Sequence, residues 1–557
     1  MFRELVLGEY NDLSGYPFSV AKYYFPDFLL TWLIYGLGAN VVWGIYLWMF
    51  AVLVISLGGW LLLCDALFSP NLNRRILVIL IHALPLIYMA WLGSDIFLIH
   101  AMPIFHYGTW VTVPWLLWLS VCILGENNNS EKRPYRFAVG LFILLAVVTA
   151  SDLSILPWFI APAIVAVLLL YVPGANKKGD AATQKFLLDV IGSGFLFGFL
   201  LGRVDIGGTE MVAHDRILSG FSLKYLTYTI ENVLVFMGKL GWRHPIAAIV
   251  WLAFMFFILS KMYFVLSHWR KSNFRLSLPK SFIALFVPLS IAATFSAVAV
   301  SGNFTFPDVP SLYAALGAGL SRAYISVRQW DHGYYGYIVR YIVPPMFFPL
   351  FIGWALFLPA KRNLLITMTA IITVVAAPKA MTMEWKSLDP YSSPFFQCYR
   401  DTAKRLKWKA GIASTVLSTQ MAIDPDNPVK RVMSVGVTHG REQSFLFQNW
   451  VVGNRQWLKK PFNFVAINGY RGRVYDVTPG WPDRVCQANE WNKCFPVNHS
   501  WLILDGAAAR GAFGEPTEII ECEGIGFYHY DPPISVTHSR IVGNLFNDVG
   551  WNMPKDK

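Results

Sequence analysis

The stretch Val327–Pro345, VRQWDHGYYGYIVRYIVPP, gathers Arg328, Arg340, Asp331 and His332 with five aromatics at the mouth of an apolar helix. A guanidinium grips two oxygens of a phosphate at once and stays charged at an interface. Arg340 suits that task best, because Pro344 and Pro345 open the helix behind it. Arg328 and His332 can join it and balance charge that develops on a leaving phosphate. Asp331 is a further candidate on this rim. The rival reading is an anchor, since Arg beside Tyr and Trp is common at any membrane lip.

Other ionisable residues fall at the ends of apolar runs. Asp95 closes one run, His106 opens the next with Tyr107, Gly108 and Thr109, and Asp152 lies on a later turn. Ionisable groups at membrane depth are functional candidates by default. Ser151–Asp152 ahead of an apolar run also reads as a helix start, and His106 can serve a structural hydrogen bond. Asp205, Glu210, His214 and Asp215 share the loop Arg203–His244, but their spacing is generic and no metal is expected. Within that loop Leu223–Leu240 is amphipathic enough to lie on a membrane and flank a lateral opening for a lipid. No nucleophile elbow, P-loop, dinucleotide fingerprint or HExxH occurs in the chain.

These groups need scaffolding, and composition says what kind. Over 557 residues, 55% are hydrophobic and only 14% charged. With a mean hydropathy of +0.45, the chain is too apolar for a soluble enzyme of this size. A net charge of +12 would suit nucleic acid, but the basic residues form short clusters between apolar runs. That is the pattern of the positive-inside rule, and no nucleic-acid partner is expected.

Residues Met1–Pro26 lack the apolar core and cleavage site of a signal peptide. A short interfacial helix from Phe28 and a full span over Val42–Phe68 follow. Further spans are expected near Val78–Phe97, Thr109–Leu124, Phe137–Ala150, Leu156–Tyr171, Phe186–Leu201, Ile246–Leu266, Phe282–Val300, Ile342–Leu358 and Leu364–Ala377, about ten helices in all. Arg74 and Arg75, Lys132 to Arg136, Lys177 to Lys185, Arg270 to Lys280, and Lys361 with Arg362 mark alternate, cytoplasmic loops. The chain therefore divides into an outside segment 1–27, a transmembrane domain 28–378 and an extracytoplasmic domain 379–557.

In the tail, Val432–Val437, Phe462–Ile467, Trp501–Leu504 and Ile519–Tyr530 read as strands, and Tyr399–Lys409 as helix. A mixed α/β domain is expected. Four of the six cysteines, Cys398, Cys486, Cys494 and Cys522, lie there, and an extracytoplasmic domain would suit two disulfides. Cys486 and Cys494 bracket a short loop, which leaves Cys398 with Cys522. Connectivity stays open at this level.

The chain resembles a group of bacterial integral-membrane proteins with the architecture of C-type (GT-C fold) glycosyltransferases, which use polyprenyl-phosphate sugars. The resemblance rests on YYFPDFLLTW at Tyr23–Trp32, PIFHYGTW at Pro103–Trp110, SDLSILPWFIAP at Ser151–Pro162, RYIVPP at Arg340–Pro345, DPYSSPFFQC at Asp389–Cys398, AGIAST at Ala410–Thr415 and FLFQNW at Phe445–Trp450. In that fold the first outside loop joins the first two spans and holds an acidic residue. Here the loop would be Met1–Asp27, with its preceding helix missing from this sequence.

The resemblance implies sugar transfer on the outer side of the bacterial cytoplasmic membrane, to a glycan, lipid or protein acceptor. A carboxylate near the membrane surface must then take the acceptor's proton. Glu9 and Asp12 are the first candidates, with Glu4 and Asp27 on the same segment. A solvated acidic turn, with Asp27 capping the helix from Phe28, is the competing reading. Arg340, Arg328 and His332 would hold the donor's phosphate, and membrane lipids would surround the bundle. The competing function is a non-enzymatic subunit that assembles or exports a surface polymer beside an envelope protein partner.

Overall fold

The computed structural model describes residues 24–37, 41–92, 107–125, 135–171, 178–203, 256, 277–301, 360–382 and 393–414, then separate parts of 417–535. The described chain is mostly helical, with a sheet towards its C-terminal end.

A π-turn, Tyr24–Phe28, leads into α1 (Leu29–Gly36) and α2 (Val41–Leu67). α3 (Leu72–Leu92), α4 (Tyr107–Gly125) and α5 (Tyr135–Ser151) follow. A second π-turn, Leu156–Ile160, opens α6 (Ala161–Leu170), then come α7 (Lys178–Leu201), α8 (Leu278–Ser301) and α9 (Arg362–Thr382). Three of them, α2, α4 and α7, are long and apolar enough to cross a membrane. The observed helices match the expected runs in order but extend beyond them at the charged ends. Arg74, Arg75 and Arg136, expected in loops, sit in first turns of α3 and α5. Long basic side chains reach outward from a helix end, so charge there does not end the helix. The spans expected at Ile246–Leu266 and Ile342–Leu358 lie outside the described residues, save for 256 in the first.

α4 is the hub. It packs against α2, α5, α7, α8 and both π-turns, and Val111, Val113, Leu116, Leu117 and Ile123 are fully buried on it. α5 and α7 meet more closely than side chains allow. Gly194, Gly198 and Gly202 recur every four residues along one face of α7, against Phe142, Ala146 and Ala150 at the same spacing on α5. A Cβ at Gly198 would strike the Ala146 carbonyl and come within 2.8 Å of its Cα. Backbone contact of this kind is how apolar helices associate where no hydrophobic drive separates them from lipid. Gly198→Leu is therefore expected to destabilise the bundle by about 1–3 kcal/mol or more, read as a lower unfolding temperature of the purified full chain. An unchanged value would mean that α5 and α7 do not touch here.

The tail folds as a mixed domain. It runs α10 (Pro394–Arg405), β1 (Ala410–Ser414), β2 (Arg431–Thr438), β3 (Ser444–Phe447), β4 (Phe462–Ile467), β5 (Arg473–Val474), β6 (Cys486–Gln487), α11 (Gly506–Phe513), β7 (Glu518–Cys522) and β8 (Ile525–Ile534). Six strands form one sheet in the order β3-β2-β1-β4-β8-β7, with β5 and β6 paired apart. β1 lies parallel to both β2 and β4, and the remaining pairs are antiparallel. The single run read at Ile519–Tyr530 is a hairpin, because Glu523 and Gly524 take φ of 47° and 82° and turn the chain back.

Aromatic packing holds this domain. Trp408 stacks on Phe464 at 4.3 Å and Tyr399 on Phe527 at 5.8 Å. The Trp408 N–H donates to His529 Nδ1 at 3.0 Å, so the neutral ring carries its proton on Nε2. Arg400 clamps the fully buried Asp424 through two hydrogen bonds of 2.9 and 2.7 Å. Asp424→Ala leaves that guanidinium without its main partner, and β1–β2 protection should fall by about 3–5 kcal/mol in hydrogen exchange. Protection within about 1 kcal/mol of the parent would contradict it.

Burial, helped by Tyr528 and Glu515, pushes the Tyr530 hydroxyl well above the usual tyrosine range. It donates to Gly514 O at 3.3 Å. A pKa raised in the folded state gives stability that is full below the unfolded value and lost as pH rises through the folded one. β7–β8 protection should thus hold through neutral pH and fall only in strong alkali, and Tyr530→Phe should remove that dependence. A dependence unchanged by the substitution would exclude Tyr530 as its source.

Candidate functional site

Two acidic side chains are buried where α4 begins. Asp27 is 1% exposed and Asp152 2%, and both meet the first turn of α4 at consecutive residues. Such burial inside an apolar bundle is costly unless the groups are held, and it marks candidate sites.

Asp152 is held from two sides. Thr109 Oγ1 donates to its Oδ2 at 2.7 Å, and the Ser154 N–H donates to Oδ1 at 2.9 Å. The second bond is the turn-forming contact expected of an Asp ahead of an apolar run. The first joins that turn to α4, so Asp152 is both a local cap and a cross-link.

Asp27 approaches the same turn through a gap in the sequence of side chains. A Cβ on Gly108 would collide with both carboxylate oxygens of Asp27, so only glycine admits the carboxylate there. A helix N-terminus favours a negative charge at this position. The chain around Asp27 is fixed by two further bonds. The Phe25 N–H donates to Ser151 Oγ at 2.9 Å, and Thr31 Oγ1 donates to the Asp27 carbonyl at 2.6 Å. Asp27 lies within the π-turn, not ahead of it as a cap would. Below the acids, Trp110 and Trp158 pack edge to face at 5.6 Å, and Ser290 Oγ donates to the Trp158 carbonyl at 2.9 Å. π-turn, α4, the end of α5 and α8 thus converge on one polar patch.

No protein family, curated protein or solved structure matches this chain. The patch has to be read from its own chemistry.

Opposite it, at the other ends of the same helices, lie the basic residues. Arg75 pairs with Asp65 at 2.6 Å, Arg74 and Lys280 both lie over Phe68, and Arg136 lies over Phe137. One end of the bundle is acidic and the other basic.

Of the candidates read from sequence, Asp152 is in the patch. Glu9, Asp12, Asp95, His106, Arg328, Asp331, His332 and Arg340 lie outside the described residues. Asp205, Glu210, His214 and Asp215 lie outside them as well. Among the described residues no three His, Cys, Asp or Glu side chains gather to hold a metal. Cys398 and Cys522 are joined in a disulfide. Cys486 contributes backbone to β6, and Cys494 lies outside the described residues. What the sequence reading missed is the meeting of Asp27 with Gly108. The signal was a glycine in the first turn of an apolar helix, read only as a neighbour of His106.

Proposed function

We propose that this protein is a membrane glycosyltransferase of the GT-C type, with about ten spans, which moves one sugar from a polyprenyl-phosphate donor to a glycan, lipid or protein acceptor. The observation that carries the reading is the convergence of Asp27 and Asp152 on Gly108 and Thr109, at the end of the bundle away from the basic residues. By the positive-inside rule that end faces out of the cytoplasm, where lipid-linked sugars serve in place of nucleotide sugars.

In the reaction the acceptor hydroxyl oxygen bonds to the anomeric carbon, while that carbon's bond to the phosphate oxygen breaks. The electron pair leaves with the polyprenyl phosphate, and the hydroxyl proton passes to a carboxylate. Asp27 is that base among the described residues, and Asp152 is a positioning residue that holds the start of α4. Asp27 is covered in the substrate-free protein, so the acceptor must part the chain above it. Glu9 and Asp12 stand on the same outside segment, and Arg340, Arg328 and His332 would grip the leaving phosphate. The disulfide-bonded tail suits an oxidising compartment on that side.

Native mass spectrometry of the gently solubilised full chain is the direct test. A co-purified polyprenyl phosphate, lost on Arg340→Ala, is the expected result. A co-purified protein or polymer with no lipid carrier would replace transfer with an assembly role.

A further inference from the structure

We propose that Arg74 and Lys280, converging on the Phe68 ring, form a binding site for the phosphate of an anionic phospholipid at the basic end of the bundle. Phe68 follows the last turn of α2. The Arg74 guanidinium lies 4.0 Å from its ring centroid and the Lys280 ammonium 4.7 Å from the same centroid. The two charges come from first turns of different helices, α3 and α8. Sharing one ring brings them under about 9 Å apart, inside the distance over which salt screens them. An aromatic face offsets part of that repulsion, and an anion bridging both offsets the rest.

The nearby acid does not supply that anion. Asp65 is engaged by Arg75 at 2.6 Å, with two of its three hydrogen bonds from Nε. Among the described residues Lys280 has no carboxylate within ion-pair distance. Depth favours a lipid as the source. The cluster sits where the apolar helix α2 ends, and the ring of Pro279, beside Lys280, packs over Gly125 at the end of α4, where a Cβ would stand 3.5 Å from it. That is the level of headgroup phosphates. Along α3, Leu72 and Ile79 are exposed, giving the apolar surface an acyl chain needs. Basic pockets between helix ends are suited to such headgroups. The site stands at the far end of α4 from Asp27 and Asp152 and does not depend on their role.

The test uses the purified full chain and native mass spectrometry with phosphatidylglycerol or phosphatidylcholine supplied in the detergent. Wild type should retain phosphatidylglycerol in preference. Lys280→Gln should weaken that retention about fivefold, and Arg74→Gln with Lys280→Gln about thirtyfold. Lys361→Gln with Arg362→Gln removes the same charge from the same end and should change it less than about twofold. Equal losses in both double variants, or no preference for phosphatidylglycerol, would overturn the proposal. The single Lys280 variant keeps the test open if the double variant does not fold. Inorganic phosphate alone, raising the unfolding temperature of wild type but not of Lys280→Gln where phosphatidylglycerol has no effect, would assign the cluster to a soluble phosphate and overturn the lipid.

Discussion

Asp27→Asn is expected to slow sugar transfer about a hundred- to ten-thousandfold, the usual contribution of a positioned proton acceptor. The substitution keeps the shape that fits against Gly108 while removing the oxygen that takes the proton. Donor binding should be nearly unchanged, so the loss appears in kcat and not in KM. Gly108→Ala tests the same contact from the other side, because its methyl group displaces the carboxylate from α4. It should lower transfer as well, while Asp152→Asn, which keeps an acceptor for Thr109 and Ser154, should lower it less. Single-turnover transfer in liposomes, with a labelled polyprenyl-phosphate sugar as donor, separates these outcomes. Full activity in Asp27→Asn would remove Asp27 as the base and leave Glu9 and Asp12 as candidates.

Cys398→Ser with Cys522→Ser is expected to cost the C-terminal domain about 5 kcal/mol, because the bond closes a loop between residues 124 apart in sequence. Few domains of this size hold much more than that in total. The expected result is loss of protection across β7 and β8 in hydrogen exchange, with the helical bundle unaffected. Reduction of the wild-type protein should reproduce it. A double variant as well protected as the parent would show that α10 and β7 are held together by packing alone.

The helices were legible because each is a long apolar run, and length alone identifies such a run. Their ends were not, since Arg74, Arg136 and Lys280 carry charge inside first turns and looked like loop. Among the strands, Phe462–Ile467 was read to the residue. Ala410–Ser414 was not read as a strand at all. Its five residues, AGIAS, carry little strand propensity of their own, and their conformation comes from hydrogen bonding to β2 and β4 on either side. The candidate site divides in the same way. Asp152 was visible as an acid at the end of an apolar run, and its turn-forming bond could be anticipated. The contact of Asp27 with Gly108 joins residues far apart in the chain, and local pattern has no access to it.

The strand order has a bearing on biogenesis. β1 and β4 occupy the middle of the sheet, yet β4 finds its second neighbour only in β8, and β8 also carries β7. A ribosome delivers β1 first and β8 last, so the sheet stays open on one side until residue 534 has emerged. Cys398 likewise waits for Cys522. Pairing so distant in sequence is slow to form, which keeps the tail in an extended, threadable state during synthesis. A tail that must pass through a translocation channel before it is oxidised gains from that delay.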